Sequence, residues 1–270
     1  MALITKYFDE FCAPSLKGFS PQHTLKLLER FEGQKPRIDI ERALFFTQSM
    51  QETDGQPLLL RWAKALMHIA KNMTVYVQED QLLLGRAGCD GRYGILYPEL
   101  DGDFLDIAVR DLPTRKTSPA TITPEDAKRV IEEIAPYWKG KTYHEALNAA
   151  LPAEIHKLTY DDPMGLISRF IVNETSSFRS SIQWVHDFEK ILKRGFNSIK
   201  QEAQEKLDAL DPLSCKDACE KRPFLEAIVI VCEAIVLWAK RHAVLAREMA
   251  EKETNPTRKR SEERRVGKEC

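Results

Sequence analysis

Apolar positions recur every three or four residues through most of the chain, so the pattern predicts a mainly helical protein. Ser20 and Pro21 read as an N-cap and first turn, opening a helix to about Phe31 with Leu25, Leu28 and Phe31 on one stripe. Pro36 then breaks the chain. Asp39 is expected to cap IERALFFTQSMQET, which stops at Asp54-Gly55, and Pro57 to open PLLLRWAKALMHIAKNM, making a helical hairpin. The exception to the helical period is TVYVQEDQLLLG, Thr74 to Gly85. Its β-branched and apolar residues flank a polar turn and predict short extended segments.

Further on, Gly85, Gly88, Gly91 and Gly94 predict a loop and Asp103 to Val109 a short helix. Thr123-Pro124-Glu125-Asp126 is a strong helix start, with the helix expected to reach about Ala135 and PYWKGKT to turn. A helix over Tyr143 to Ala150 and a loop over Pro152 to Asp162 follow. NSIKQEAQEKLDAL reads as a charged helix ending before Pro212, and Cys215 to Lys221 as a short one broken by Pro223. From Phe224 to about Lys252 a long helix is expected. Its first part, FLEAIVIVCEAIVLW, is apolar almost all round, yet it is too short for a bilayer and contains Glu226 and Glu233. It predicts a buried core helix with neighbours on most sides. No repeat or low-complexity linker supports an internal domain boundary.

Composition narrows the partners. The 270 residues contain 40 Lys and Arg against 41 Asp and Glu, spread along the chain, which gives no electrostatic footprint for nucleic acid or an anionic membrane. The opening MALITKYFDEFCAPS lacks the order of a secretory signal, so a cytoplasmic protein is expected. Six scattered cysteines make no disulfide framework. Cys215 and Cys219 have no nearby His or Cys to complete a metal site, so no metal is expected. His68, between Met67 and Ile69, reads as a core or boundary histidine, and the glycine loop lacks the GK[ST] ending of a phosphate cradle.

The candidate chemistry lies in NETSSFRSSIQWVHDFEKIL, Asn173 to Leu192, where Arg179 and Gln183 stand one helical turn apart. A guanidinium fork and a carboxamide at that spacing can converge on one small anion with several oxygens. The same pair also fits a solvated helix face.

Several segments carry a resemblance to the glycyl radical enzymes, the pyruvate formate-lyase-like family. They are PRIDIERALFFTQSMQETDGQPLLLRWAKALMHIAKNMTVYVQEDQLLLG, PYWKGKT, DFEKILKRGFNSIKQEA and AKRHAVLAREMAEKETNPTRKR, in an order that runs from about Pro36 to Arg260. The resemblance implies that this mostly α segment is the N-terminal helical part of a ten-stranded α/β barrel of two half-sheets, here incomplete. It also implies a thiyl cysteine and a glycyl radical installed by a radical S-adenosylmethionine activase, with a homodimer when full length. Neither radical motif is in this chain: Gly88-Cys89 is followed by Asp90-Gly91 rather than fitting GCxE, and Arg265-Val266-Gly267-Lys268 lacks the spacer and tyrosine of RVxGY. Residues 1–260 are therefore expected to be a truncated N-terminal part that binds no cofactor and has no activity, and Ser261 to Cys270 to be foreign to the native gene.

Aligning Asp187-Phe188-Glu189-Lys190 with the family's D-Y-E-K puts Gln183 where the diol and choline lyases have the histidine of GHxxPDY, and His186 where they have proline. Arg179 with Gln183 instead resembles the members that cleave the carbon–sulfur bond of isethionate, where this pair holds the sulfonate. The implied product pair is acetaldehyde and sulfite, and the implied setting anaerobic, in the cytoplasm or a bacterial microcompartment. Other small polar substrates (dihydroxypropanesulfonate, choline, glycerol) and a non-catalytic helical binding or scaffold domain remain the alternatives.

Overall fold

In the computed structural model of the chain, the described residues are 21–78, 85, 88, 91–100, 102, 105, 109–116, 119–160, 186–211 and 217–254. Helix α1 (Pro21–Phe31) starts at its proline, as expected. Its stripe is not wholly covered, since Leu28 is 47% exposed. Pro36 leads into a strand rather than a simple break. β1 (Arg37–Asp39) pairs in parallel with β2 (Tyr93–Ile95), Ile38 opposite Gly94, and on its other side Ile38 N donates to Thr121 O at 2.7 Å.

The strands are thus at 37–39 and 93–95, and the expected extended segments over 74–85 form no ladder among their described residues. Three-residue strands are too short to show a period of two. TVYVQ has β propensity, yet no strand forms over it among the described residues. Its entry is tied down otherwise, by Thr74 N and Oγ1 donating to the Glu41 carboxylate, each at 2.7 Å. Close approach explains one glycine of the loop. A Cβ on Gly88 would lie 2.1 Å from the Tyr93 ring.

Asp39 caps the hairpin as expected, its Oδ1 accepting from Glu41 N at 2.9 Å. Helices α2 (Glu41–Glu52) and α3 (Leu58–Asn72) then pack together, with Gly55 at φ 80° in the turn between them. Arg61 locks that turn, donating to Met50 O at 2.7 Å and pairing with Asp54 at 3.2 Å.

After a 3-10 turn (Leu112–Thr114), Thr123 caps α4 (Pro124–Arg129) by accepting from Asp126 N at 3.0 Å. The helix does not stop at Ala135: a π-helical turn (Val130–Ile134) feeds α5 (Ala135–Trp138), so the turn begins only at Lys139-Gly140. Pro136 has no N–H to give the preceding turn, and the wider π register is one way a helix accommodates that loss. The extension has a packing consequence. Trp138 stacks on Phe46 at 5.7 Å, and its Nε1 donates to Thr47 Oγ1 at 2.8 Å, which donates on to Ala43 O at 2.6 Å. Around it Ile38, Leu44, Met50, Leu105, Val130 and Ile134 form the buried core.

Helix α6 (Tyr143–Ala150) falls where expected, opened by a capping box in which Thr142 N donates to Glu145 Oε2 at 3.1 Å and Glu145 N to Thr142 Oγ1 at 3.3 Å. Burial pushes the Glu145 carboxyl up. Hydrogen bonds from Gly140, Thr142 and Lys141 outweigh that and hold it below the usual carboxylate value. The expected loop from Pro152 is in large part a helix, α7 (Ala153–Tyr160). Pro152 precedes that helix rather than breaking it.

Helix α8 (Phe188–Asp208) ends before Pro212 as expected. The short helix predicted for Cys215 to Lys221 merges into α9 (Ala218–Lys252), which runs straight through Pro223. Pro223 is the sixth residue of that helix, so it leaves the Cys219 carbonyl without its usual helical donor, a loss confined to the second turn of a 35-residue helix. α9 packs against α3 and α8. It is less buried than expected: its fully buried residues are mostly alanines, while Ile228 to Val231 and Ile235 to Trp238 are half-buried and Phe224 is exposed.

Candidate functional site

Arg179 and Gln183, with residues 173–185 of the stretch around them, lie outside the described residues. The described geometry begins where that stretch ends. Asp187 accepts from Lys190 N at 2.9 Å and so caps α8, giving the D-F-E-K run a structural role as a helix start. His186 is exposed, sets its ring edge-on to Phe188 at 5.7 Å, and accepts from Phe188 N through its carbonyl at 2.8 Å.

Two turns later the helix changes direction. Gly195 takes φ 70°, ψ 163°, a conformation closed to other residues without strain, so Phe188 to Arg194 form a short arm set at an angle to the rest of α8. Charges brace the bend. Arg194 Nη2 meets Glu202 Oε2 at 2.7 Å across it, and Lys206 Nζ meets Glu202 Oε1 at 2.7 Å. The hydrogen bonds from Lys206 and then Arg194 hold the Glu202 carboxyl at about 2. On the arm itself Lys193 pairs with Glu189.

The other residues weighed for chemistry have structural surroundings. His68 is half-buried, its Nε2 3.4 Å from Gln48 Oε1 and its ring edge-on to Phe45 at 5.8 Å, a boundary histidine as expected. Cys215 and Cys89 are outside the described residues, Cys219 is exposed, and Cys232 is buried with its thiol pushed up by desolvation. Among the described residues no three His, Cys, Asp or Glu side chains come together as metal ligands, and no helix is long and apolar enough to cross a membrane.

The most developed polar cluster escaped the sequence reading. Arg42 donates to both oxygens of the buried Glu99 at 2.6 and 3.2 Å and to Leu96 O at 3.3 Å, with its guanidinium 4.0 Å from the Tyr97 ring centroid and 5.0 Å from that of Phe46. The contacts to Leu96, Tyr97 and Glu99 pin α2 to the segment after β2, while Phe46 supports the guanidinium from within α2. A pair 57 residues apart leaves no local signal in the sequence.

A family model described as pyruvate formate lyase-like matches residues 20–263. The chain is 91% identical over 234 residues to an isethionate sulfite-lyase of Desulfovibrio desulfuricans, covering 87% of this chain and 28% of that protein. It is 75% identical over 241 residues to an isethionate sulfite-lyase of Bilophila wadsworthia, covering 89% of this chain and 29% of that one. A solved structure concerned with 1,2-propanediol dehydration in Roseburia inulinivorans superposes with a TM-score of 0.81 at 27% identity, over 92% of this chain and 29% of that chain. The chain therefore spans less than a third of the length of these relatives.

Proposed function

The chain belongs to the pyruvate formate lyase-like family, and on that footing we propose that it is the N-terminal part of a glycyl radical carbon–sulfur lyase that converts isethionate to acetaldehyde and sulfite. The 91% identity to an isethionate sulfite-lyase carries this reading, because a 234-residue match at that level leaves little room for a change of substrate within the segment. The radical supplies the hydrogen abstraction in the family, and its two motifs, GCxE and RVxGY, are not in these residues. What this segment contributes is positioning. Arg179 and Gln183 hold the sulfonate, the guanidinium meeting two of its three oxygens and the carboxamide donating to the third or accepting from the substrate hydroxyl.

The residue types suit that ligand. A sulfonate is anionic at every physiological pH, so a permanently charged Arg matches it, whereas the histidine of the diol lyases would add a titration that the binding does not need. A radical S-adenosylmethionine activase as partner, a full-length homodimer, and a cytoplasmic or microcompartment location belong to the same proposal. So does the reading of Ser261 to Cys270 as foreign to the gene, although the family match extends to residue 263, past Arg260; an independent read of the locus that encodes those residues in frame would remove it.

The test is a full-length chimera in which this chain replaces the matched segment of the Desulfovibrio desulfuricans relative. With an activase and S-adenosylmethionine under anaerobic conditions, it should release acetaldehyde and sulfite from isethionate in equal amounts. The 270-residue chain alone should release neither. A chimera that turns over a diol or choline but not isethionate contradicts the assignment.

A further inference from the structure

The arm at the start of α8 presents its apolar face outward. Of the large hydrophobic side chains described, Leu192 is the most exposed at 85% and Phe188 follows at 62%. At 100° per residue, Phe188, Ile191 and Leu192 fall within one arc of about a quarter-turn or slightly more, and Glu189, Lys190, Lys193 and Arg194 occupy the opposite side. The polar side is already satisfied, by the Glu189–Lys193 pair and by Arg194 on Glu202. Among the described residues the apolar side is uncovered, and the arm is held in place in that state. Asp187 caps its start, Gly195 turns it, and the Arg194–Glu202–Lys206 chain braces the turn.

We propose that the Phe188–Leu192 face of this arm is a docking surface for the polypeptide that follows the matched segment in the full-length relatives, so that the arm is clamped between the two parts of one chain. The inference rests on reading this chain as part of a longer lyase. Two observations select that occupant. The chain covers only 28% and 29% of its two isethionate-lyase relatives, so more than two-thirds of each lies outside it and is tethered to it. The face is also small: two or three side chains bury a few hundred Å², roughly a quarter of the 1,200–2,000 Å² typical of a stable pair of separate molecules, which suits a tethered partner and not a second copy.

Cysteine labelling tests this without destabilising the fold. Leu192→Cys and, on the polar side, Lys190→Cys are made in the 270-residue chain and in the full-length chimera, and maleimide modification at each position is followed by peptide mass. In the 270-residue chain the two positions should react within about threefold of each other; in the chimera Leu192→Cys should react about 100-fold more slowly than Lys190→Cys. Equal rates in the chimera overturn the proposal. So does protection in the 270-residue chain that grows with protein concentration, which identifies a second copy as the occupant. Isethionate turnover by the unsubstituted chimera is read separately. Turnover with fast labelling at position 192 defeats the docking surface alone, and slow labelling without turnover defeats the lyase reading alone.

Discussion

The core around Trp138 and the long helix α9 bury opposite kinds of side chain. In the first, the large residues are inside: Phe46, Met50, Leu105, Ile134 and Trp138 are all 5% exposed or less. In the second, the small ones are inside. Ala227, Ala234, Ala243, Ala246 and Ala250 are buried while Ile228 to Val231 and Ile235 to Trp238 are half-covered and Phe224 and Val244 are each 51% exposed. Alanines let α9 approach its neighbours closely, but most of the hydrophobic free energy of a helix lies in its large side chains. The first region has closed its core. The second has closed a seam and left its larger apolar surface for something else to cover.

Substitution separates the two most strongly at their centres. Trp138→Ala removes a stacked indole and the donor to Thr47, and should cost about 3–5 kcal/mol in urea unfolding. Ile235→Ala in α9 should cost about 1 kcal/mol in the same assay, because its side chain is only half-buried. Equal costs would erase the contrast.

Arg42→Ala should come next, at about 2–4 kcal/mol, since it leaves the Glu99 carboxylate buried without its partner. Arg42→Lys should recover only part of this, because one ammonium cannot make the paired contacts of the guanidinium. Gly195→Ala should cost about 1–3 kcal/mol by forcing a Cβ into a left-handed backbone, although that Cβ would meet nothing within 4 Å. A stability unchanged by Gly195→Ala would show that the bend is not fixed in solution.

Glu202 should give the smallest effect. Its carboxyl sits at about 2, below the ordinary glutamate value of 4.5, so the pairing stabilises the bend above about 4.5 and is lost as pH falls from there through 2. The carboxylate is open to solvent on one side, so 1 M salt should move its NMR titration midpoint back toward the ordinary value. A midpoint insensitive to salt would contradict the pairing.

Helices with strong ends were legible from sequence. Thr123-Pro124 and Pro57 opened helices where their chemistry said they would, and Asp39 capped the hairpin. Errors came where tertiary context overrode a local signal. Pro136 and Pro223 read as stops but lie inside helices, one beside a π-turn and one near a helix start. TVYVQ has the residues of a strand but forms none among the described residues, whereas Arg37–Asp39 pairs with Tyr93–Ile95 and has too few residues to show a pattern. At the candidate site, the capping role of Asp187 and the bend at Gly195 give the run after Arg179 and Gln183 a geometry that spacing alone did not reveal.

The central claim is that Arg179 and Gln183 hold a sulfonate, and anaerobic steady-state kinetics of the full-length chimera on isethionate tests it most directly. Arg179→Ala should cost on the order of 2–5 kcal/mol in transition-state binding, seen as a fall in kcat/KM, with Arg179→Lys keeping the charge but not the two-point contact. Gln183→His should impair isethionate turnover by replacing the carboxamide with the diol-type residue. Wild-type kcat/KM in both Arg179→Ala and Gln183→His would contradict the account, placing the pair on a solvated face instead.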